Sequence, residues 1–236
     1  MKAFNIAKHK IYLTNILIDF YKDSVLATML GFKGGTAALL FYNLPRFSFD
    51  LDFDLMTVYS KESEELLNRI TKILSLKYEI KDQSSKRNTI FWLVSYEKYS
   101  SNIKIEISTR DNPYNHYNSI PFYGVALQVM DIKDMIAHKL VAVLERSSIA
   151  NRDLFDIHYF LSSQYAGDIN YDIIKFRTGK DPKDFYISLL NFIEHVNAST
   201  ILSGLGEILD EKQKIWVKSK LIKELKGLVQ RQIDLF

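Results

Sequence analysis

The chain has 236 residues, of which 47% are apolar and 25% are charged, as in an ordinary globular protein of one large or two small domains. It has no cysteine, which excludes disulfides and thiolate zinc sites. Its net charge of +3 permits contact with nucleic acid without requiring it. Charged residues interrupt the N-terminal apolar segment, and no stretch reaches the roughly twenty apolar residues that span a bilayer. We therefore expect a cytoplasmic protein without a signal peptide and without a membrane partner.

The first predicted elements are helical. Residues 5–30 favour a helix or a helix pair, and the apolar stretch Leu26–Phe32 can form the first strand, which we place near residues 30–33. Gly34, Gly35 and Thr36 follow, and the apolar residues after them predict a short helix. At a strand–glycine–helix junction, backbone N–H groups can approach an anion, and a threonine hydroxyl can add a donor. A plain turn is the alternative for the glycine pair taken alone.

Three aspartates, Asp50, Asp52 and Asp54, occupy alternate positions of a predicted strand at residues 48–56. Alternate side chains share a strand face, so neighbouring carboxylates would lie roughly 6.5–7 Å apart. Each adjacent pair would repel by about 2.4 kcal/mol at an effective dielectric constant of about 20. A solvated face is the alternative, although Lys, Thr or Glu would form one with less repulsion. A divalent cation would compensate the charge, and Mg²⁺ is usually held by one or two carboxylates with substrate phosphates.

A helix is predicted to end near Leu76, and β-like runs follow at residues 77–82, 89–96, 102–109 and 125–129. Proline and glycine interrupt the gap before the last of these runs. From Asp131 onward the pattern is almost wholly helical. We therefore predict an α/β domain over residues 1–130 and a helical domain over residues 131–236.

Glu106 is a lone acid on the polar face of the run at residues 102–109, opposite three isoleucines. One interpretation makes it an exposed glutamate that pairs with Lys104 or Lys98. The other makes it a third acidic residue beside the aspartates. The residues by themselves leave both interpretations open.

The helical half contains two charged features. Lys139 lies in a predicted helix, and Asp153 and Asp156 lie near the start of the next, where acids favour the helix dipole. Capping and surface pairing would explain these residues without a functional role. Further on, residues 212–226 contain six lysines and one glutamate. Such a face is either simply solvated or a surface that follows RNA phosphates.

Gly34-Gly35-Thr36, the short helix and the run Arg46–Phe53 together resemble the signature of DNA-polymerase-β-like nucleotidyltransferases. Within that superfamily, the pattern GGTA(A/L)L…RxSxDLDF resembles the AbiEii/AbiGii family, nucleotidyltransferase-like toxins of bacterial toxin–antitoxin and abortive-infection systems. Phe49 is a minor departure, because the family commonly has Glu or Asp there. The resemblance implies an α/β (α+β) fold, with a mixed sheet and flanking helices followed by a helical C-terminal domain.

The resemblance also implies roles for individual residues in holding metal and nucleotide. Asp54 lies outside the matched aspartate pair and is expected to be peripheral. The implied metal ligands and catalytic acids are Asp50, Asp52 and Glu106, with Glu106 either a ligand or a base on the incoming hydroxyl. The implied nucleotide contacts are Gly34, Gly35, Thr36, Arg46, Ser48 and Lys139, with Asp153 and Asp156 orienting Lys139 or touching the nucleotide.

The implied reaction is transfer of NMP from an NTP to an acceptor hydroxyl with release of pyrophosphate, and it uses Mg²⁺ or Mn²⁺. The family suggests the 3′ end of tRNA as acceptor and a cognate antitoxin as partner. A protein or small-molecule acceptor is an alternative, as is a non-catalytic module that binds nucleotide or RNA. A metal-dependent nuclease could use the same carboxylates, but it would not need a Gly-Gly-Thr cradle for a triphosphate.

Overall fold

A computed structural model describes residues 5–57, 62–97, 102–146 and 150–236. The chain divides into two compact units, Met1–Met130 and Asp131–Phe236. Across the described residues, we find no helix with the length and apolar character needed to cross a membrane.

The first unit is a seven-stranded mixed sheet with helices, in the strand order β3-β4-β5-β2-β1-β7-β6. Two neighbouring pairs, β2 with β5 and β1 with β7, are parallel, and the other pairs are antiparallel. The elements are α1 (Ile6–Lys22), α2 (Ser24–Met29), β1 (Leu30–Lys33), α3 (Gly34–Phe41), β2 (Leu51–Leu55), α4 (Glu62–Ser75), β3 (Glu79–Lys86), β4 (Thr89–Ser95), β5 (Asn102–Ser108), β6 (Tyr117–Phe122) and β7 (Val125–Met130).

Asp23 explains how the N-terminal helical segment divides. Its side chain accepts hydrogen bonds from the backbone N–H groups of Val25 and Leu26, so it caps a second helix directly after α1. Within the apolar stretch Leu26–Phe32, residues 26–29 therefore belong to α2, and the first strand predicted near residues 30–33 is confirmed as β1. The strand begins only at Leu30, because the cap at Asp23 starts a new helix before the apolar run can extend.

The strand β6 was not predicted, because Pro121 and Gly124 indicated a loop. β6 lies at the edge of the sheet and pairs only with β7, where Pro121 faces Ala126. Proline is tolerated on an edge strand because its missing N–H faces away from the partner strand. Tertiary pairing with β7 therefore overrides the local breaker signal.

The apolar face of the sheet fixes the direction of the acidic residues. Leu51 and Phe53 on β2 are fully buried, and the ring of Phe53 lies 5.3 Å from Phe32 and 5.8 Å from Phe20. All three isoleucines of β5 are also fully buried. Full burial of such a side chain contributes about 1.5–3 kcal/mol. The alternate positions, Asp52 and Glu106, are therefore held on the opposite face.

The second unit is helical. It comprises α5 (Ile132–Glu145), α6 (Asn151–Leu161), α7 (Tyr171–Thr178), α8 (Pro182–Glu194), α9 (Glu211–Trp216), a π-helix (Val217–Leu221) and α10 (Ile222–Asp234), with 3₁₀ turns at Gln164–Gly167, Ala198–Thr200 and Gly206–Ile208. Its core is formed by fully buried side chains such as Phe160, Phe185, Tyr186 and Leu225. The mixed sheet with flanking helices, followed by a helical region, confirms the predicted fold class.

Candidate active site

The acidic residues converge on two neighbouring parallel strands. Asp52 on β2 lies opposite Glu106 on β5 in the strand register. Asp50 lies immediately before β2, one residue outside the strand. The three acids predicted from the sequence therefore belong to one face of the sheet at the β2–β5 pair.

Lys104 lies between two of these acids. Its Nζ atom is 3.1 Å from Oε2 of Glu106 and 3.6 Å from Oδ2 of Asp50. Burial lowers the pKa of Lys104, but the charges of Asp50 and Glu106 raise it, and the net pKa is above its ordinary value. The ammonium group is therefore charged and neutralises part of the acidic face.

The sequence suggested that Lys104 could pair with Glu106, but the contact with Asp50 was missed. The signal was the parallel register, which brings position 104 beside position 50 when Asp52 lies opposite Glu106. The alternative partner, Lys98, lies outside the described residues.

Asp52 has the most perturbed environment of the three acids. Burial raises the pKa of its carboxyl, and the charge of Asp50 raises it further, with a smaller contribution from Glu106. Lys33 and Lys104 act in the opposite direction, but the net pKa of Asp52 is above its ordinary value. Ionised Asp52 is therefore incompletely compensated in the protein alone, and a bound cation would relieve this repulsion.

The glycine pair brings the start of α3 against the acidic strand. Gly34 has a φ of +80°, and a Cβ atom there would lie 2.3 Å from Oδ2 of Asp52. A Cβ atom on Gly35 would lie 2.8 Å from Oγ of Ser48 and 3.2 Å from Nη2 of Arg46. Only glycine therefore permits this approach at position 34, where both the backbone conformation and the space exclude a side chain.

Thr36 contacts the backbone just before the acidic strand. Its side chain is buried, and its hydroxyl donates a hydrogen bond of 2.5 Å to the backbone carbonyl of Asp50. In the structure this hydroxyl fixes the backbone at Asp50, which places the carboxylate just before β2.

Arg46 and Ser48 are also buried, and Arg46 donates a hydrogen bond of 3.0 Å to the carbonyl of Phe47.

His9 also supports the acidic strand, and no sequence pattern had singled it out. The buried ring lies with Nε2 3.0 Å from the carbonyl oxygen of Phe49 and with Nδ1 3.0 Å from the hydroxyl of Tyr96. Burial lowers the pKa of His9, so the neutral form is favoured. This hydrogen bond holds the residue before Asp50, and only tertiary packing between α1 and the strand could reveal it.

Asp54 has a different set of neighbours from Asp50 and Asp52. It is buried, and its Oδ1 lies 2.5 Å from Nζ of Lys33. Its Oδ2 accepts a hydrogen bond of 2.7 Å from the hydroxyl of Tyr117 and one of 3.4 Å from the amide of Asn115. The ring of Tyr117 occupies the space above Gly31, where a Cβ atom would lie 2.2 Å from the ring. Asp54 is therefore part of a structural ion pair.

The remaining predicted residues lie in the second unit. Lys139 forms an ion pair of 2.5 Å with the fully buried carboxylate of Asp156. Nε of Arg146 lies 2.7 Å from Oδ2 of Asp153, so the second aspartate pairs with a different cation. Asp156 is therefore the aspartate in contact with Lys139, and Asp153 belongs to a neighbouring ion pair.

The acidic face fits a magnesium or manganese ion by its chemistry. Within the described parts of the chain, no three His, Cys, Asp or Glu side chains are arranged as a complete metal site. Asp50 and Asp52 nevertheless supply hard oxygen donors, and Mg²⁺ normally takes one or two carboxylates together with substrate phosphates. The Lys104 ammonium group lies beside Asp50, so this carboxylate is already in contact with a positive charge. The residues therefore fit the implied metal in combination with a nucleotide.

Solved structures share this fold. JHP933 from Helicobacter pylori is 23% identical with a TM-score of 0.63, and the match covers 99% of this chain and 94% of that chain. A protein from H. pylori described as a nucleotidyltransferase is 22% identical with a TM-score of 0.62 and coverage of 97% and 95%. MenT4 (Rv2826c), a nucleotidyltransferase toxin from Mycobacterium tuberculosis H37Rv, is 15% identical with a TM-score of 0.55 and coverage of 97% and 87%. Comparison with curated proteins gives no sequence match.

The mixed sheet, the acid pair and the glycine junction against Asp52 define a nucleotidyltransferase. The family model described as nucleotidyl transferase AbiEii toxin, type IV toxin–antitoxin system, matches residues 15–215, which is more than half of the chain. The chain belongs to the AbiEii family of nucleotidyltransferase toxins. The match confirms the resemblance carried by the GGTA and RxSxDLDF motifs.

Proposed function

We propose that this enzyme transfers NMP from an NTP to a hydroxyl of RNA in a metal-dependent reaction, with the 3′ end of tRNA as the preferred acceptor. The observation that supports this most is the acidic face at β2 and β5, with the Gly34 backbone held against Asp52. A site that brings carboxylates and a helix N-terminus together suits a polyphosphate and its cation.

In this proposal, Asp50 and Asp52 would hold Mg²⁺ or Mn²⁺, which would neutralise charge on the phosphate oxygens. The acceptor hydroxyl oxygen bonds to the α-phosphorus, the bond from that phosphorus to the bridging oxygen breaks, and pyrophosphate leaves with the electron pair. Placement and electrostatics provide most of the rate enhancement in such a transfer. The hydroxyl proton passes to Glu106 where that carboxylate acts as the base, and to solvent where Glu106 would instead complete the metal site.

Lys104 has a specific part in this proposal. Its ammonium group pairs with Asp50 and Glu106, carboxylates that would hold the metal. Removal of this lysine from between the carboxylates would free Glu106 for either of its two roles. Lys104 is thus an internal counter-ion that competes with the metal.

We assign the nucleotide contacts to the loop at the start of α3 and, from the family resemblance, to Lys139. The backbone N–H groups at the start of α3 cradle the β- and γ-phosphates, because the first turn of a helix has no internal partners for its donors. Thr36 and Ser48 support this loop, and Arg46 flanks it. Lys139, oriented by Asp156, neutralises charge on the triphosphate.

Membership of a toxin family of type IV toxin–antitoxin systems suggests a biological setting. We propose that RNA modification by this chain arrests growth, that a cognate antitoxin protein controls it, and that it acts in the cytoplasm. MenT4, a nucleotidyltransferase toxin with the same fold, supports this setting.

The test is to incubate the purified protein with Mg²⁺, each α-labelled NTP in turn, and total cellular RNA or total cellular protein. We expect label in RNA with one NTP or a subset, and loss of the signal when Mg²⁺ is chelated. Asp52→Asn is the matched negative control. Label that moves into polypeptide, or no transfer under any condition, would refute the RNA acceptor.

A further inference from the structure

A lysine-lined pocket of about 330 Å³ lies in the second unit. Its walls come from the π-helix Val217–Leu221, the start of α10 and the segment around Ala198. Buried apolar side chains lie beneath a charged rim. The residues that define its character are Ile201, Val217, Lys218, Lys220, Lys223 and Lys226.

The π-helix gives this pocket its shape. A π-helical turn has i→i+5 hydrogen bonds and is wider than an α-helical turn, and such turns occur frequently at functional sites. Here it joins α9 directly to α10, so it interrupts a longer helical segment. The wider turn changes the angular spacing of the residues that follow, which lets Lys218 and Lys220 line the same pocket as Lys223.

The charge in the pocket is not balanced by nearby acids. None of its four lysines has an ion-pair partner among the residues described by the structure. Lys214, just before the pocket, pairs with Glu211 at 2.7 Å. Glu224, the one acid of this lysine-rich stretch, lies 3.2 Å from His158. These two acids therefore serve other partners, and the pocket presents concentrated positive charge.

We propose that this pocket binds a backbone phosphate of the acceptor RNA, an inference that rests on the RNA substrate proposed above. Lysine is a common phosphate ligand that acts as a point charge. The apolar floor at Ile201 and Val217 can contact the adjacent ribose or base. An acidic protein partner fits less well, because lysine is depleted in protein–protein interfaces.

The first experiment measures binding of a fluorescein-labelled single-stranded RNA oligonucleotide by anisotropy at several salt concentrations, without NTP or metal. The test variant is Lys218→Gln/Lys220→Gln/Lys223→Gln. The matched control, Lys175→Gln/Lys180→Gln/Lys183→Gln, removes the same charge from α7, α8 and the turn between them in the same unit.

In a complex with single-stranded nucleic acid, each phosphate that a lysine neutralises adds about 0.7 to the steepness of the salt dependence. The test variant loses the one phosphate contact of the pocket, so its slope of log K against log salt should be shallower by about 0.7, and its affinity at low salt should fall by about 10- to 100-fold. The control should keep the wild-type slope. Equal losses of affinity in both variants, or no loss in the test variant, would refute the proposal that the pocket binds RNA.

A second variant separates the pocket from diffuse charge. Ala198→Trp fills the pocket from an exposed position on the opposite wall and leaves every lysine in place. It should also weaken RNA binding, with circular dichroism and the melting temperature unchanged. If Ala198→Trp binds RNA with wild-type affinity, the proposal is wrong. Polyglutamate tests an acidic protein partner, and tighter binding of polyglutamate than of RNA to the wild-type protein would also contradict the proposal.

The two proposals fail in distinguishable ways. If RNA is not the acceptor, the wild-type protein transfers no label to RNA although the lysine variants still weaken RNA binding. If the pocket is wrong, the wild-type protein transfers label to RNA and the triple lysine variant binds RNA as tightly as the wild type.

Discussion

Two aspartates on strand β2, Asp52 and Asp54, lie in opposite electrostatic environments. Asp52 and Asp54 are two residues apart, yet Asp54 is buried with Lys33, Tyr117 and Asn115 as partners, whereas burial and nearby carboxylates raise the pKa of Asp52. A carboxylate with matched donors stabilises the fold, and one held near other acids can bind a cation. The comparison teaches that regular spacing does not assign chemistry, because the partners come from other strands and loops.

Asp52→Asn should have the largest effect on function. The substitution removes the charge that would hold the metal while keeping the shape of the side chain. We expect label transfer to fall on the order of 10²–10³-fold or more, the usual loss for a group that stabilises charge in the transition state. Circular dichroism should remain unchanged. Turnover within a few-fold of wild type would remove Asp52 from the metal site.

Asp54→Asn should have its main effect on stability. The substitution leaves the Lys33 ammonium group without its carboxylate, and breaking a buried pair typically costs about 3–5 kcal/mol. Because the side chain of Lys33 is 27% exposed and can move toward water, we expect a smaller loss of about 2 kcal/mol in the free energy of unfolding.

Urea denaturation checks the Asp54 prediction, and the double variant Lys33→Met/Asp54→Asn is its control. The double variant should recover part of the loss, because neither charge is then left unpaired. If Asp54→Asn alone is as stable as the wild type, the ion pair makes no measurable contribution to the free energy of unfolding.

Lys104→Met tests whether the Lys104 ammonium group competes with a metal ion for Asp50 and Glu106. The substitution removes the ammonium group beside Asp50 and Glu106 and keeps a long side chain. We expect Mn²⁺ affinity to increase about 10-fold, equivalent to about 1.4 kcal/mol, because the metal no longer competes with an internal cation. Isothermal titration calorimetry without nucleotide measures this directly.

Lys81→Met is the matched control for Lys104→Met. Lys81 pairs with Glu79 at 2.6 Å on β3 in the same unit, so its removal changes the net charge equally. Its Mn²⁺ affinity should remain near that of the wild type. Weaker binding in Lys104→Met would mean that Lys104 supports the metal site and does not compete with it.

The smallest expected effect is the pH dependence of stability at Asp52. A carboxyl whose folded pKa is raised binds protons more readily in the folded protein than in the unfolded chain, so its ionisation costs stability as the pH rises above about 3.8. Asp52→Asn removes this cost. The variant should therefore gain stability relative to wild type as the pH rises from about 4 to about 8. Urea midpoints across this range give the difference, and a constant or shrinking difference would contradict the raised pKa.

Much of the fold was accessible from the sequence, since the alternating isoleucines and the helical pattern after Asp131 are local signals. The strand β6 was missed because its edge position overrode local preference, and the cap at Asp23 confined the strand within Leu26–Phe32 to its last residues. The structure describes the contacts of the site residues, and the roles predicted for all of them in metal and nucleotide binding stay predictions. The contact of Thr36 with Asp50 shows how a hydroxyl expected to face phosphate can be engaged within the fold.

The sequence by itself determined the family and the acidic motif, because the glycines, the serine and the aspartates lie within one short stretch whose residue types and spacing are specific. Only the tertiary structure decided which cationic side chain pairs with which carboxylate. Lys104 reaches Asp50, Lys33 reaches Asp54, and Asp156 reaches Lys139 through strand register and helix packing. Electrostatic interactions depend on distance and burial, and residues far apart in the sequence acquire both only when the chain folds.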